Sequence, residues 1–430
     1  MKMRKVHNYV PCQTRVHEAN DVIVATMEGL DHVEYLPEPH DRSIVSAVDP
    51  AVVGHQDGWR SEVMGWAPMV AQPVVRARRR ALTATNMLGF AVFVSISMLL
   101  WQNDLLVVDI PLPDSEWAFE ATGVRGLNED GLSGEGIRLC MVDTGIDNQH
   151  EAFAGKDIRF HDLIGDSSAP REYGAVAHGT LMAGILISGS HQAGIAQNVT
   201  FAMVAALQDD GSGQNSGLES DVGDAIRWCQ FQFEADIISL SLGGTPNMDG
   251  QREGDSVSAT RQATDSGIFV VAAAGNDGGS GDDGDVAAPG NVPRAISVGA
   301  TTRQGQVWVN SSVGSDTGDE TPRQHPHMKP EIVAPGHRII STGEDNLWYT
   351  SSGTSDSTVF VAGALALLLE AHPQLRPDGQ SDGSCVDLVK TALMNSAQSI
   401  GQGEDHHPYA GYGQVDARAW IDEIKPGAAC

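Results

Sequence analysis

From Gly136 onward, short and nearly uninterrupted apolar runs alternate with stretches of helical periodicity, and this alternation restricts the fold more than any other feature of the chain. The runs "IRLCMVD", "VTFAMVAAL", "DIISLSLGG", "GIFVVAAAGN" and "AISVGA" lack the polar alternation of half-exposed strands, so they read as strands buried on both faces. Between them, "HGTLMAGILISG", "SDVGDAIRWCQFQFE" and "DSVSATRQATDSG" read as helices. Strand–helix alternation predicts an α/β fold: a doubly wound, mostly parallel sheet with helices on both faces. The run "ALALLL" is too short to span a membrane and apolar around its circumference, so it is expected to be a buried central helix.

Reactive groups in such sheets gather beyond the carboxyl ends of the strands. Asp143 ends the first strand, His178 opens a helix and Ser355 precedes the central helix. A serine hydroxyl becomes a nucleophile when an imidazole takes its proton, and a carboxylate must fix that imidazole's tautomer. Asn276 ends the strand "FVVAAAGN", where its amide could donate to an oxyanion. A helix start at Ser355 adds a backbone N–H and the positive end of the helix dipole. Taken singly, each motif is more often a turn, a loop or a helix cap. Their order and context carry the argument.

In that order, "VDTGID", "HGTLMAG", "AAAGN" and "GTS" resemble the four active-site signatures of the subtilisin-like serine proteases. Supporting stretches agree: "GEGIRLCMVDTGID" resembles the family's first core strand and "KPEIVAPG" its approach to the serine loop. "SLSLGG" resembles the edge strand that pairs with extended substrate, and "YAGYGQVDARAW" the closing segment. The likeness runs from about Trp117 to Ile421. It implies a subtilisin-like fold and a serine endopeptidase acting through an acyl-enzyme on polypeptide substrates. It further implies Ser355 as nucleophile, His178 as general base and then acid, Asp143 as its orienter and Asn276 as an oxyanion donor. Ser241, Leu242 and Gly243 would line the substrate cleft through backbone hydrogen bonds. No cofactor is implied for the chemistry.

Two departures stand out. Where the family usually reads Met-Ala-x-Pro-His after the serine, this chain has Asp356, Ser357, Thr358, Val359 and Phe360. An acid beside the nucleophile either favours the helix N-terminus or adds negative charge near a developing oxyanion. That suggests a rival reading, a catalytically weak or inactive relative whose cleft binds peptides. Second, many family members bind calcium through an aspartate where this chain has Ala152, with Glu151 as a substitute. Structural calcium therefore stays open and unlocated, and the acidic run "NDGGSGDDGDVAAPGN" reads first as a solvated loop.

The net charge of −29 belongs to the larger part of the chain: residues 1–80 balance ten Lys/Arg against ten Asp/Glu, whereas 81–430 hold 17 against 46. Nucleic acid is excluded as a partner, because phosphate contacts need a basic footprint. With six lysines against 21 arginines, the acid surface looks like those of salt-loving microbes, an ordinary acidic exported protein being the alternative. Five cysteines show no metal-ligand spacing. Cys140, inside an apolar run, reads as a core residue, and no disulfide framework is expected.

Residues 81–101 carry no charge and follow the cluster Arg76, Arg78, Arg79 and Arg80. An uncleaved transmembrane anchor with the C-terminal part outside is the first reading. A buried helix remains, as does an export signal if translation begins at Met69. The expected organisation is a small N-terminal module over 1–75, propeptide-like in its ending. After the anchor come an extended linker over 102–135 and a peptidase domain over 117–421. The protein is placed at the cell membrane with its catalytic domain outside, or secreted.

Overall fold

A computed structural model describes residues 90–96, 98, 114–245, 254–318, 321–378, 382–401, 403, 405–425, 427 and 428. Seven strands form one sheet: β1 (Arg138–Asp143), β2 (Ile158–Asp162), β3 (Thr200–Ala205), β4 (Ile237–Leu240), β5 (Phe269–Ala273), β6 (Ile296–Thr301) and β7 (Ile332–Pro335). Their order is β7-β6-β5-β4-β1-β3-β2, and every pairing is parallel. The expected doubly wound sheet is present.

Strand β1 shows why its sequence has no polar alternation. Leu139 and Met141 join one apolar cluster, while Cys140 and Val142 join a second on the opposite face. The first cluster includes helix α3 (His178–Ile187) and helix α6 (Thr354–Ala371); the second includes α4 (Glu219–Phe231) and α5 (Asp255–Asp265). Side chains of both parities are therefore removed from water, each large one contributing roughly 1.5–3 kcal/mol.

Helix α6 lies against β4, β5, β6 and β7 and against α3. Among the described residues it is the one helix long and apolar enough to cross a membrane, yet 89% of it is buried in the protein. It is the expected central helix. A hairpin, β8 (His337–Thr342) and β9 (Trp348–Ser352), delivers the chain directly to its N-terminus.

Three expectations need correction or completion. Cys140 is a core residue, but it is disulfide-bonded to Cys229, with Cα atoms 5.8 Å apart, so the bond ties β1 to α4. Cys385 is disulfide-bonded as well. The bond joins residues 89 apart, beyond the reach of any local spacing rule. Closing a loop of that length restricts the unfolded chain, so a Cys140→Ala/Cys229→Ala variant is expected to lose about 2–4 kcal/mol in urea unfolding.

The extended linker is, from residue 114, two short helices: α1 (Glu116–Ala121) and α2 (Val124–Glu129). Phe119 packs edge-on against Phe360 of α6, with ring centroids 5.0 Å apart. Strand β4 is interior, between β1 and β5, rather than an edge strand; Ser241 to Gly243 follow its end. The N-terminal module lies outside the described residues. Of the proposed anchor, residues 90–96 are helical, and Phe90 and Phe93 are 65% and 67% exposed.

The structure also holds helices α7 (Ser384–Asn395) and α8 (Ala417–Glu423), which pack on each other, and α8 on α6.

Candidate active site

Strand β1 is the point where the winding reverses, since β3 lies on one side of it and β4 on the other. The crevice beyond its carboxyl end is where such sheets bind ligands. Asp143 is the last residue of β1 and His178 the first of α3, and both are buried. The His178 Nδ1–H donates to Asp143 Oδ1 at 2.6 Å. A carboxylate only accepts, so the proton sits on Nδ1 and leaves Nε2 as the acceptor. Nε2 has no hydrogen-bond partner among the described residues.

The backbone enforces this pairing. A Cβ on Gly179 would lie 2.1 Å from the carbonyl oxygen of Gly145, and one on Gly145, at φ +111°, would lie 2.0 Å from that of Arg171. The glycines of "DTG" and "HG" therefore permit main chain to touch main chain between β1 and α3. Thr144 completes the clasp: its hydroxyl accepts from the Gly179 N–H at 2.8 Å, while its own N–H donates to Asp143 Oδ1 at 2.7 Å. Ala177, just before the histidine, takes the left-handed conformation at φ +51° and ψ +44°. A non-glycine residue held there costs on the order of 1 kcal/mol or more, and such strain concentrates at functional sites.

Burial pushes His178 down, but the charge and hydrogen bond of Asp143, with Asp356 and Glu172 beyond, outweigh it and leave the imidazole above its ordinary value. Glu172 is held beside α3 by the N–H and hydroxyl of Thr180, at 2.9 and 2.6 Å.

Ser355 is the second residue of α6 and fully buried. Its hydroxyl donates to the Ser241 carbonyl at 3.1 Å, and the Ser241 hydroxyl donates back to the Ser355 carbonyl at 3.2 Å. The nucleophile candidate and the first candidate cleft residue are thus joined, whereas Ser355 Oγ is not bonded to His178. Leu242 and Gly243 follow, buried, and a Cβ on Gly243 would lie 2.6 Å from that of Ala287.

Asn276 lies beyond the end of β5. Its Oδ1 accepts the Thr354 N–H at 2.9 Å, which fixes the amide's orientation and turns Nδ2 away. Nδ2 is buried and has no partner among the described residues. A donor held ready beside the start of α6 suits a charge that appears only during reaction. Thr354, Thr144 and Ser351 were not singled out in the sequence; only the first two stand inside recognisable signatures.

Asp356 is fully buried, and burial pushes it up to about 7 against the hydrogen bond from Ser351 and the charge of His178. Its Oδ2 accepts the Ser351 hydroxyl at 2.9 Å. A cavity of about 420 Å³ is walled by Asp147, Arg171, Glu172, Glu344 and Asp345, and Ser355 is not among its lining residues.

For metals, Ala152 offers no side-chain ligand oxygen at the position where a carboxylate is expected. Elsewhere, Asp277, Asp282 and Asp283 bring ligand atoms within 4.8 Å of one another, a donor set suited to a hard cation. Burial, with Asp277 next, pushes Asp283 up to about 6. The loop is less open than expected, because Asp285 is buried and ion-paired with Arg323 at 2.6 Å.

The sequence profile of the Subtilase family matches residues 134–414. Serine protease AprX of Bacillus subtilis (strain 168) is 32% identical over 328 residues, covering 70% of each chain. Subtilisin NAT of Bacillus subtilis subsp. natto is 31% identical over 253 residues, covering 57% of this chain and 59% of its own, less than two thirds of its length. Subtilisin of Bacillus pumilus is 30% identical over 57% of this chain and 82% of its own.

Proposed function

Because the chain belongs to the subtilase family, we propose that it is a serine endopeptidase in which Ser355, His178 and Asp143 form the reacting triad. The observation that carries this assignment is the buried Asp143–His178 hydrogen bond at the reversal point of the sheet, with Nε2 unpartnered. Family membership supports a subtilisin-like serine protease acting on polypeptides without a cofactor for its chemistry.

The proposed steps use these groups in turn. Ser355 Oγ leaves the Ser241 carbonyl, gives its proton to His178 Nε2 and attacks the peptide carbonyl carbon. Asp143 stabilises the imidazolium so formed. The carbonyl oxygen, now negative, takes a hydrogen bond from Asn276 Nδ2 and lies at the positive end of α6. The imidazolium protonates the leaving amine, leaving an ester on Ser355, and water then hydrolyses it by the same relay run in reverse. Backbone groups of Ser241, Leu242 and Gly243 align the substrate as an added strand.

Labelling with a fluorophosphonate tests the assignment. The wild type is expected to take label and Ser355→Ala to take none; label retained on Ser355→Ala would refute the nucleophile. Asn276→Ala should lower kcat by about 10²–10³-fold with little change in KM, a scale that comes from the corresponding donor in subtilisin itself. Equal losses in kcat and in substrate affinity would argue against an oxyanion role.

Export is supported by the Cys140–Cys229 bond, since disulfides persist in oxidising compartments. The uncharged stretch 81–101 with its preceding arginines supports an anchor that leaves the peptidase outside.

A further inference from the structure

We propose that Asp356 is a second carboxylate partner of His178, a positioning residue that holds the imidazolium and so sets the pH at which the enzyme gains its base. This role rests on the triad reading above. Three observations lead to it. Asp356 stands next to Ser355 in the first turn of α6, which packs against α3, the helix that His178 begins. Its carboxylate is fully buried, with Oδ2 fixed by the Ser351 hydroxyl and Oδ1 without a partner among the described residues. His178 Nε2 and Asp143 Oδ2 are likewise buried and unpartnered. One imidazole is thus bonded to one acid and under the charge of a second, each acid with a spare oxygen.

The titratable groups around this pair are few. Glu172 and Asp143 act on His178 besides Asp356, and His178 is the charged neighbour of Asp356. Strands β4 to β7, packed on α6, carry no ionisable side chain, while β9 carries Tyr349, which burial pushes above its ordinary value, and α8 carries Arg418, Asp422 and Glu423. Strand β8, packed on α3, carries His337 and Arg338. Burial pushes this carboxyl up to about 7, and the imidazole whose charge it feels is held above its ordinary value, so the two lose their protons as a coupled pair. With Asp356 ionised, the imidazolium is favoured and neutral His178 appears only at higher pH. An amide in its place removes that charge, and the base form arrives earlier.

The experiment is the rate of fluorophosphonate labelling of the full chain across pH 5–10, for wild type, Asp356→Asn, Asp356→Glu and Ser351→Ala, with thermal melting of each. The midpoint of the acid limb should fall by roughly one unit in Asp356→Asn and return toward wild type in Asp356→Glu. Ser351→Ala removes the donor that favours the ionised carboxylate, so its midpoint should move in the same direction by less. If Asp356→Asn melts like wild type and its midpoint does not move, the role is overturned. If Asp356→Asn does not fold, the Ser351→Ala shift decides, and none overturns it. A wild type that takes no label at any pH overturns the triad reading and this role with it; label with an unmoved midpoint overturns this role alone.

Discussion

Ser355→Ala is expected to lower kcat by at least about 10⁴-fold while leaving KM within a few-fold, because covalent catalysis is lost and binding is not. The substitution removes one hydroxyl that donates to the Ser241 carbonyl, so the fold should survive. His178→Ala should cost about as much, and the double variant little more than either, since groups that act as one relay are not additive. Turnover of a fluorogenic peptide, measured with circular dichroism on the same samples, checks all three. Additive losses in the double variant would count against a shared relay.

Glu331→Ala is expected to be the most damaging change remote from the site, costing at least about 3–5 kcal/mol. Glu331 is fully buried between two fully buried lysines: Oε1 accepts from Lys329 at 2.9 Å and from Lys390 at 2.7 Å, and Oε2 accepts the Ser297 N–H at 2.7 Å. Removing it leaves two buried lysines without the carboxylate they are bonded to and one strand N–H without an acceptor. Glu331→Gln keeps an oxygen for Ser297 and should lose less. Denaturant unfolding of the two variants checks the order, and equal losses would show that the charge alone matters.

The same cluster carries a pH signature. Burial pushes Glu331 up, but Lys329 and then Lys390 outweigh it and leave it below its ordinary value. Its stabilising contribution is therefore present above 4.5 and is lost as pH falls through the folded value. Burial holds Lys329 at about 7 against an ordinary 10.5, so between those values the unfolded chain binds the extra proton and stability rises with pH. Both effects place the weaker side at acid pH.

The sheet and the pairing of Asp143 with His178 in the candidate site were legible in the sequence for physical reasons that can be named. A strand covered on both faces must be apolar at every position, and Leu139 to Val142 are. Close main-chain contact requires glycine, and the glycines at 145 and 179 stand inside the motifs that marked Asp143 and His178. What was not legible depends on distant partners. Cys229 is 89 residues from Cys140, and nothing in either neighbourhood announces the other. The segment "EWAFEATGVRGLNE" is too short for a clear period, and its helices are held through Phe119 meeting Phe360. Ser351 gains its role only because β9 turns straight into α6 and brings its hydroxyl to Asp356.

The contact between Gly145 and Gly179 has a consequence for how such an enzyme can diverge. The spacing of Asp143 and His178 is set where two stretches of main chain meet, with no side chain between them as a shim. Residues facing water are therefore free to drift in charge and size without retuning the pair. For protein engineers, the coat of this molecule is a separate variable from its chemistry: acids can be added to or removed from the outside to suit salt or substrate, provided those two glycines are left alone.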